Sequence, residues 1–437
     1  MKESLLPLAL ALVGMVQFAG AIPTTVGGGR SAQNLKVPSP QDGMDLTGTM
    51  LAAATWSGES KLPGEWIKEA VIGGTTVSLL YGKPKLFGRD VLQLRAWHRG
   101  NILESLEATF VDAGSYFGFF NEELPKGLTK KQKREEIQTR TAASQEKFSI
   151  LYKETLAVVE KSIDQETNAS AASAKVGHSR VLRAQPLEWK KDNISVRLLA
   201  CDQRLIRVTL QPQSMTSSNW MDRSLTSETP HQRTNRLAAS VVCKNDGTVE
   251  ITGLQPIEQG FQPYCGLSAL GMVARYFGMQ VDETWLAAAG GFQNTGTANG
   301  SKMLELYNAV AAEAGFGLNR QSKLDDAAMR RAIDSGLPVI VWRRFSPERD
   351  VVHNKFMVAL SHSSNATLPD PNDPHERASW PTSNNPSPLL HASVVCGYQP
   401  ERKEVLFLDS WTGKDVPRRM RIEELAGTSY LCFIFKL

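Results

Sequence analysis

A chain of 437 residues is long enough for two or three domains. At 41% hydrophobic and 22% charged residues it can bury ordinary cores, which excludes a wholly disordered chain. The formal charge of +4 is spread without a dense Lys/Arg block, which argues against nucleic acid or a membrane surface as the main partner.

Residues 1–21 have the layout of a secretory signal peptide: Lys2, an apolar run from Leu5 to Phe18, and the small residues Ala19-Gly20-Ala21. The run falls short of the about 20 apolar residues that a membrane span needs, and Pro7, Gly14 and Gln17 interrupt it. The mature protein is therefore expected to be exported, periplasmic or extracellular, with no membrane span. Residues 22–45, rich in Gly, Pro, Ser and Gln, read as a linker.

Residues 46–170 read as an α/β region with a long helix. Val91–Trp97 and Glu104–Val111 alternate apolar and polar residues around a hairpin turn at His98-Arg99-Gly100-Asn101. Thr129 to about Gln165 is a charged helix with Phe148, Leu151, Leu156 and Val159 on one face. Asn168–Lys175 reads as a linker, and 176–250 as a β-rich region with strands at Ile194–Leu199 and Leu205–Leu210. Residues 212–236 are polar and expected to be loose. No chemistry is assignable before residue 240.

Residues 255–437 differ in character. Leu267, Leu270, Val273, Ala274 and Phe277 recur at helical spacing, and Gly278 closes that helix. Helices are expected at Asp282–Ala289, Ser301–Ala314 and Asp325–Ser335. Strands are expected at Val339–Trp342, Leu390–Tyr398, Glu404–Leu408 and Tyr430–Phe435. Helices followed by strands indicate an α+β fold with an antiparallel sheet. The polar stretch from Ser346 to Pro388 is expected as a surface loop near the mouth of the site.

Five cysteines leave at least one thiol unpaired, as a cysteine nucleophile requires. Cys201 and Cys243 are candidates for a disulfide, on which spacing alone decides nothing. Cys265 stands where the first turn of the Leu267–Phe277 helix begins, after Pro263. A helix N-terminus and a neighbouring histidine are the two devices that ionise such a thiol. His391 opens a strand and is the candidate base. Asp409, at the end of the next strand, is the candidate orienting residue, with Trp411 placed to screen the pair from water. The Cys265 N–H and a side-chain amide supply oxyanion donors. Gln259, six residues upstream, is preferred for that amide over Gln262.

Gln259 followed by Cys265-Gly266, with an apolar helix ending in Phe277-Gly278, resembles the opening of papain-like cysteine peptidases, with most similarity to the bacteriocin leader-processing branch and its stand-alone exported relatives. His391–Tyr398 resembles the base-bearing strand of that family. Asp409-Ser410-Trp411-Thr412-Gly413 resembles its orienting motif, in which papain itself carries Asn before Ser-Trp-Gly. The helix–Gly–Pro–strand passage from Ile333 to Trp342 is similar as well. The resemblance covers about residues 255–437, under half of the chain. It implies N-terminal helices packed on an antiparallel sheet, and hydrolysis of peptide or amide bonds by a Cys265-His391-Asp409 triad. Spanning segments and a G-x-x-x-x-G-K-[ST] loop, which accompany many members of that branch, are absent, so a double-glycine leader is not implied as substrate.

Other readings remain open at this point. The domain reads alternatively as a catalytically silent peptide-binding module, or as an amidase acting on cell-wall peptidoglycan. Cys396, an odd number of positions from His391, is expected to face the opposite side of its strand and pack. His353, His362 and His375 are expected to be solvated. No H-E-x-x-H or C-x-x-C pair is present, so neither a metal nor an organic cofactor is expected.

Overall fold

Four antiparallel strands start the first sheet: β1 (Trp66–Ile72), β2 (Thr75–Leu80), β3 (Gln93–Arg99), buried from Leu94 to Trp97, and β4 (Ile102–Asp112), buried from Ala108 on. This computed structural model describes residues 43–58, 62–117, 125, 127–260, 262–292, 300–383, 389–411 and 416–437. The expected signal peptide, nearly all of the 22–45 linker, and Thr412-Gly413 lie outside these residues. The β3–β4 hairpin turns at Gly100-Asn101, as its Gly suggests, with Gly100 at φ +59°.

After the short helix α1 (Ala113–Phe117) comes α2 (Lys130–Thr167), entered by a reciprocal capping box between Thr129 and Gln132. Its buried face is Phe148, Tyr152, Val159 and Ile163, and Leu151 points away at 40% exposure. The chain then adds β5 (Ala172–Ser173), β6 (Leu187–Lys191), β7 (Ile194–Cys201) and β8 (Leu205–Pro212). The antiparallel sheet runs β1-β2-β3-β4-β8-β7-β6-β5. Because β8 pairs with β4, strands on both sides of residues 168–175 share one sheet, so that segment is a connection within a unit.

The second unit opens with α3 (Pro230–Ala239), in a region expected to be loose. The missed signal was local: Thr229 caps the helix, Pro230 starts it, and Gln232 completes a capping box. Then follow β9 (Val241–Cys243), β10 (Val249–Ile251), α4 (Cys265–Tyr276), α5 (Glu283–Ala289), α6 (Gly300–Glu313), β11 (Gly317–Gln321), α7 (Asp326–Asp334) and β12 (Val339–Phe345). The expected helices appear within two residues, with Asp282 and Asp325 as caps rather than first residues. The chain continues through α8 (Pro347–His362), α9 (Pro374–Ala378), β13 (Leu389–Gln399), β14 (Glu404–Leu408), β15 (Arg418–Arg421), α10 (Ile422–Thr428) and β16 (Ser429–Lys436).

The second sheet runs β9-β10-β13-β12-β16-β11, and β14 joins β13 to β15. The α+β class therefore holds, with a β-rich N-terminal unit before a domain of helices on an antiparallel sheet. The Ser346–Pro388 stretch is not simply a loop. Ser346 caps α8, Pro347 starts it, and Glu348 and Asp350 suit its first turn. Among the described residues, no helix is long and apolar enough to cross a membrane.

Each unit has its own apolar cluster, but the larger one, built on α4 and the second sheet, also takes in Val176, Leu182, Ala184 and Leu205 from the N-terminal unit. Between α7 and β12 the chain turns at Gly336, with φ +73° and the Leu237 carbonyl oxygen of α3 only 2.1 Å from where a Cβ would stand. Gly336→Ala is expected to lower stability by about 2–3 kcal/mol in urea unfolding, since strain and a backbone clash coincide there. An unchanged midpoint would contradict that packing.

Candidate active site

The turn into α4 is set by Pro263 and by Tyr264, which precedes the first helical residue, Cys265. The thiol thus sits at the start of a 12-residue helix, at the positive end of its dipole. The helix is buried from Cys265 to Arg275 except at Gly266, since its apolar residues face core on nearly every side. Tyr307 donates to the Gly266 carbonyl at 2.6 Å, and the Trp342 indole donates to Tyr307 at 3.1 Å, so α6 and β12 brace the first turn.

His391 is the third residue of β13, and β13 and β14 pair with Val394 opposite Leu408. Extending that register brings Asp409 beside Ser393, two positions from His391 on the same face. The side chains agree. His391 Nε2 lies 2.8 Å from Asp409 Oδ1, and Ser393 Oγ donates to the same oxygen at 2.6 Å. That leaves Nδ1 of the ring for the thiol. Trp411 stacks on the imidazole at 4.2 Å between ring centres and 29° between planes, and Phe345 meets Trp411 edge-on.

The electrostatics follow from these contacts. Burial pushes the Cys265 thiol up, but the hydrogen bond and charge of His391, with the N–H groups of Ala392 and Gly266, bring it below its ordinary value. Burial depresses His391, yet the charge and hydrogen bond of Asp409 and the contact with Cys265 leave it raised. Asp409 is held well below the usual carboxylate range against its burial, first by Arg418 and then by His391. Other thiols shift the opposite way: desolvation pushes the half-buried Cys201 up to about 11 and, among the buried ones, Cys432 up to about 12 and Cys396 up further.

Gln259 is buried and anchored at three points. Its N–H donates to the Ser410 carbonyl at 2.8 Å, its Oε1 accepts from Ser410 Oγ at 2.5 Å, and its Nε2 donates to the Gln262 carbonyl at 2.9 Å. A primary amide has two N–H donors, so one remains for a developing oxyanion. Gln262 turns away and donates to Ser115 Oγ at 2.8 Å. The structure therefore joins Cys265, His391 and Asp409, holds Gln259 on Ser410 next to Asp409, and turns the Gln262 side chain to Ser115.

Cys201 and Cys243, whose pairing the spacing left open, are unpaired, Cys201 ending a strand of the first sheet and Cys243 exposed on an edge strand of the second. His353 is not solvated: it is 1% exposed and 3.1 Å from Glu424, while His362 and His375 are exposed. The Ser346–Pro388 stretch lies behind the site as well as on the surface, because α8 carries Asp350, which binds Arg418, and Arg418 pairs with Asp409. Arg418, Ser393 and Ser410 are site residues that the sequence reading missed. Only Ser393, two positions from His391 on a strand, carried a local signal. Cys396 packs as expected, 1% exposed. Among the described residues no three His, Cys, Asp or Glu side chains gather to hold a metal ion.

Behind the site, Glu424 is buried, but hydrogen bonds from His353 and Arg349 pull its carboxyl from 4.5 down to about 2. Its folded value lies below its unfolded one, so its contribution is complete above about pH 4.5 and lost as pH falls toward 2. A difference of that size corresponds to roughly 3 kcal/mol. Glu424→Gln is expected to flatten the fall in urea stability between about pH 5 and pH 3. Equal pH slopes in variant and wild type would exclude Glu424 as the group responsible.

Residues 251–431 match the Peptidase_C39 like family. The peptidase domain of Streptococcus ComA, a bi-functional ABC transporter involved in a quorum sensing pathway, is similar to this chain at 16% identity, over 42% of this chain and 98% of its own length, with a TM-score of 0.27. A protein described as a C39-like peptidase from Bacillus anthracis is similar at 15% identity, over 44% of this chain and 98% of its own length, with a TM-score of 0.27. No curated protein matches the chain.

Proposed function

We propose that the papain-like C39-type domain over residues 251–431 is an active cysteine peptidase with Cys265 as nucleophile, His391 as general base and acid, Asp409 as orienting residue and Gln259 as oxyanion donor. The family match supports a peptidase and a peptide or protein substrate. The observation that carries the rest is a thiol lowered in spite of burial, at a helix N-terminus, beside an imidazole whose far nitrogen is held by a carboxylate.

In this reading the Cys265 proton passes to His391 Nδ1, and the thiolate attacks the scissile carbonyl carbon. The C=O electron pair moves to oxygen, where the Cys265 N–H and the second Gln259 N–H stabilise it. The tetrahedral species collapses as the C–N bond breaks, and His391 gives its proton to the leaving amine. A water, deprotonated by His391, then cleaves the thioester and releases the acid. Asp409 stays ionised throughout and stabilises the imidazolium.

Hydrolysis of a quenched-fluorescent peptide library by the purified protein is expected to vanish in Cys265→Ala. Activity retained in that variant would falsify the reading. The same proposal takes residues 1–21 as a cleaved export signal. The secreted or periplasmic protein is expected to start at residue 22 on N-terminal sequencing, and a start at Met1 would remove that part.

A further inference from the structure

The first sheet touches the nucleophile helix at both ends. At its C-terminal end, Arg275 of α4 binds Glu69 of β1 at 3.0 Å. Just beyond, Asp282 is bound by Arg95 of β3 and, at 2.7 Å, by Arg207 of β8. At its N-terminal end, the Tyr264 ring reaches across to α1. Its hydroxyl is 3.5 Å from Asp112 Oδ1, and any Cβ at Gly114 would stand 1.6 Å from that hydroxyl.

Asp112 is 4% exposed and gathers this corner. It accepts from the Ser115 N–H at 2.8 Å and from Ser115 Oγ at 2.7 Å. Ser115 Oγ in turn accepts from Gln262 Nε2 at 2.8 Å, and the Gln262 carbonyl accepts from Gln259 Nε2 at 2.9 Å. Hydrogen bonds joined through Gln262, whose side chain makes one and whose backbone carbonyl accepts the other, thus link a carboxylate of the N-terminal unit to the Gln259 amide. The same carboxylate meets the residue that precedes Cys265.

We propose that the N-terminal unit completes the active site, with Asp112 and Ser115 as positioning residues for Gln262 and Tyr264 and hence for the Gln259 oxyanion amide. This rests on the reading of Cys265 as nucleophile and Gln259 as oxyanion donor. The hydroxyl of Ser115 fixes the Gln262 side chain, and so fixes where the Gln262 carbonyl holds one amide hydrogen of Gln259. The other amide hydrogen is thereby aimed. A unit joined in this way is a permanent part of the catalytic scaffold, not a removable segment that masks it.

Two reactions of the full chain separate aim from ionisation. Alkylation by iodoacetamide forms an S–C bond, expels iodide and builds no oxyanion, so it reads only the thiolate. Acylation by p-nitrophenyl acetate forms a thioester, expels p-nitrophenolate and passes through a tetrahedral oxyanion. In Ser115→Ala and Asp112→Asn the alkylation rate at about pH 6.5 is expected to stay within about twofold of wild type, because the thiolate is untouched. The acylation rate is expected to fall about tenfold, less than the loss from removing an oxyanion donor outright. Ser115→Thr, which keeps the hydroxyl, is expected to restore it.

Acylation unchanged in Ser115→Ala overturns the proposal while leaving the triad in place. Equal losses in both reactions also overturn it, since they mean general disruption. A wild-type protein that resists alkylation below pH 8 overturns the catalytic reading itself, and the proposal with it. Should Ser115→Ala fail to fold by circular dichroism, Gln262→Ala cuts the same link from the other side and carries the same expectations.

Discussion

Replacing His391 with alanine is expected to slow alkylation of Cys265 by iodoacetamide at about pH 6 by at least about a hundredfold. In the wild type the imidazole offsets the cost of a buried thiolate, and the thiol lies below its ordinary value. Without it, only the N–H groups of Ala392 and Gly266 oppose desolvation, which dominates as it does at Cys396 and Cys432, both pushed up chiefly by burial. The thiolate fraction at that pH then drops to roughly one in a thousand or less. The sign can be checked against pH. Wild-type reactivity is expected to persist below pH 8 and to fall only in the acid range. The variant's reactivity is expected to rise steadily toward alkaline pH. Mass spectrometry of the Cys265 peptide reads both curves, and coincident curves would show that no thiolate–imidazolium pair exists.

The second large effect is expected at the junction of the two units. Asp282 is 2% exposed and caps α5 through the Trp285 N–H at 2.7 Å while binding Arg95 and Arg207. Its carboxyl is pulled far below the carboxylate range despite burial, mainly by the charge of Arg207 and then of Arg95. Asp282→Ala removes a cap and leaves two buried guanidinium groups short of a shared carboxylate. Breaking such a buried pair costs about 3–5 kcal/mol, with a further ~1 kcal/mol for the cap. The expected readout is a large drop in the urea midpoint. An Asp282→Leu change combined with Arg95→Met is expected to recover part of the loss, because no guanidinium is then stranded at residue 95. A midpoint within 1 kcal/mol of wild type in Asp282→Ala would mean that water reaches this cluster.

These two sites are linked through α4. The same helix carries Cys265 at one end and Arg275, which pairs with Glu69, at the other. Loss of the junction is therefore expected to reduce reactivity of the thiol as well as stability.

Much of the site was legible in the residues themselves, because its parts are local patterns. Pro263 before an apolar period of 3.6 marks a helix start, and Gly278 marks its end, which places Cys265 in the first turn. His391 and Asp409 fall on two strands separated by a short polar turn, and an antiparallel hairpin brings such positions together. The α+β class followed from the same periodicities. What the pattern did not carry was every partner supplied from afar. Arg418 reaches Asp409 because β15 pairs with β14, and it reaches Asp350 because α8 packs on β15, neither of which a local period encodes. Ser115 meets Gln262 across 147 residues, and Tyr264 meets Asp112 across 152. Sequence alone determined where Cys265, His391 and Asp409 stand in the local structure, since each sits at a recognisable turn or strand. Only the tertiary structure decided that the N-terminal sheet packs against both ends of α4, because burial of unlike charges between distant strands is a property of packing and leaves no periodic trace along the chain.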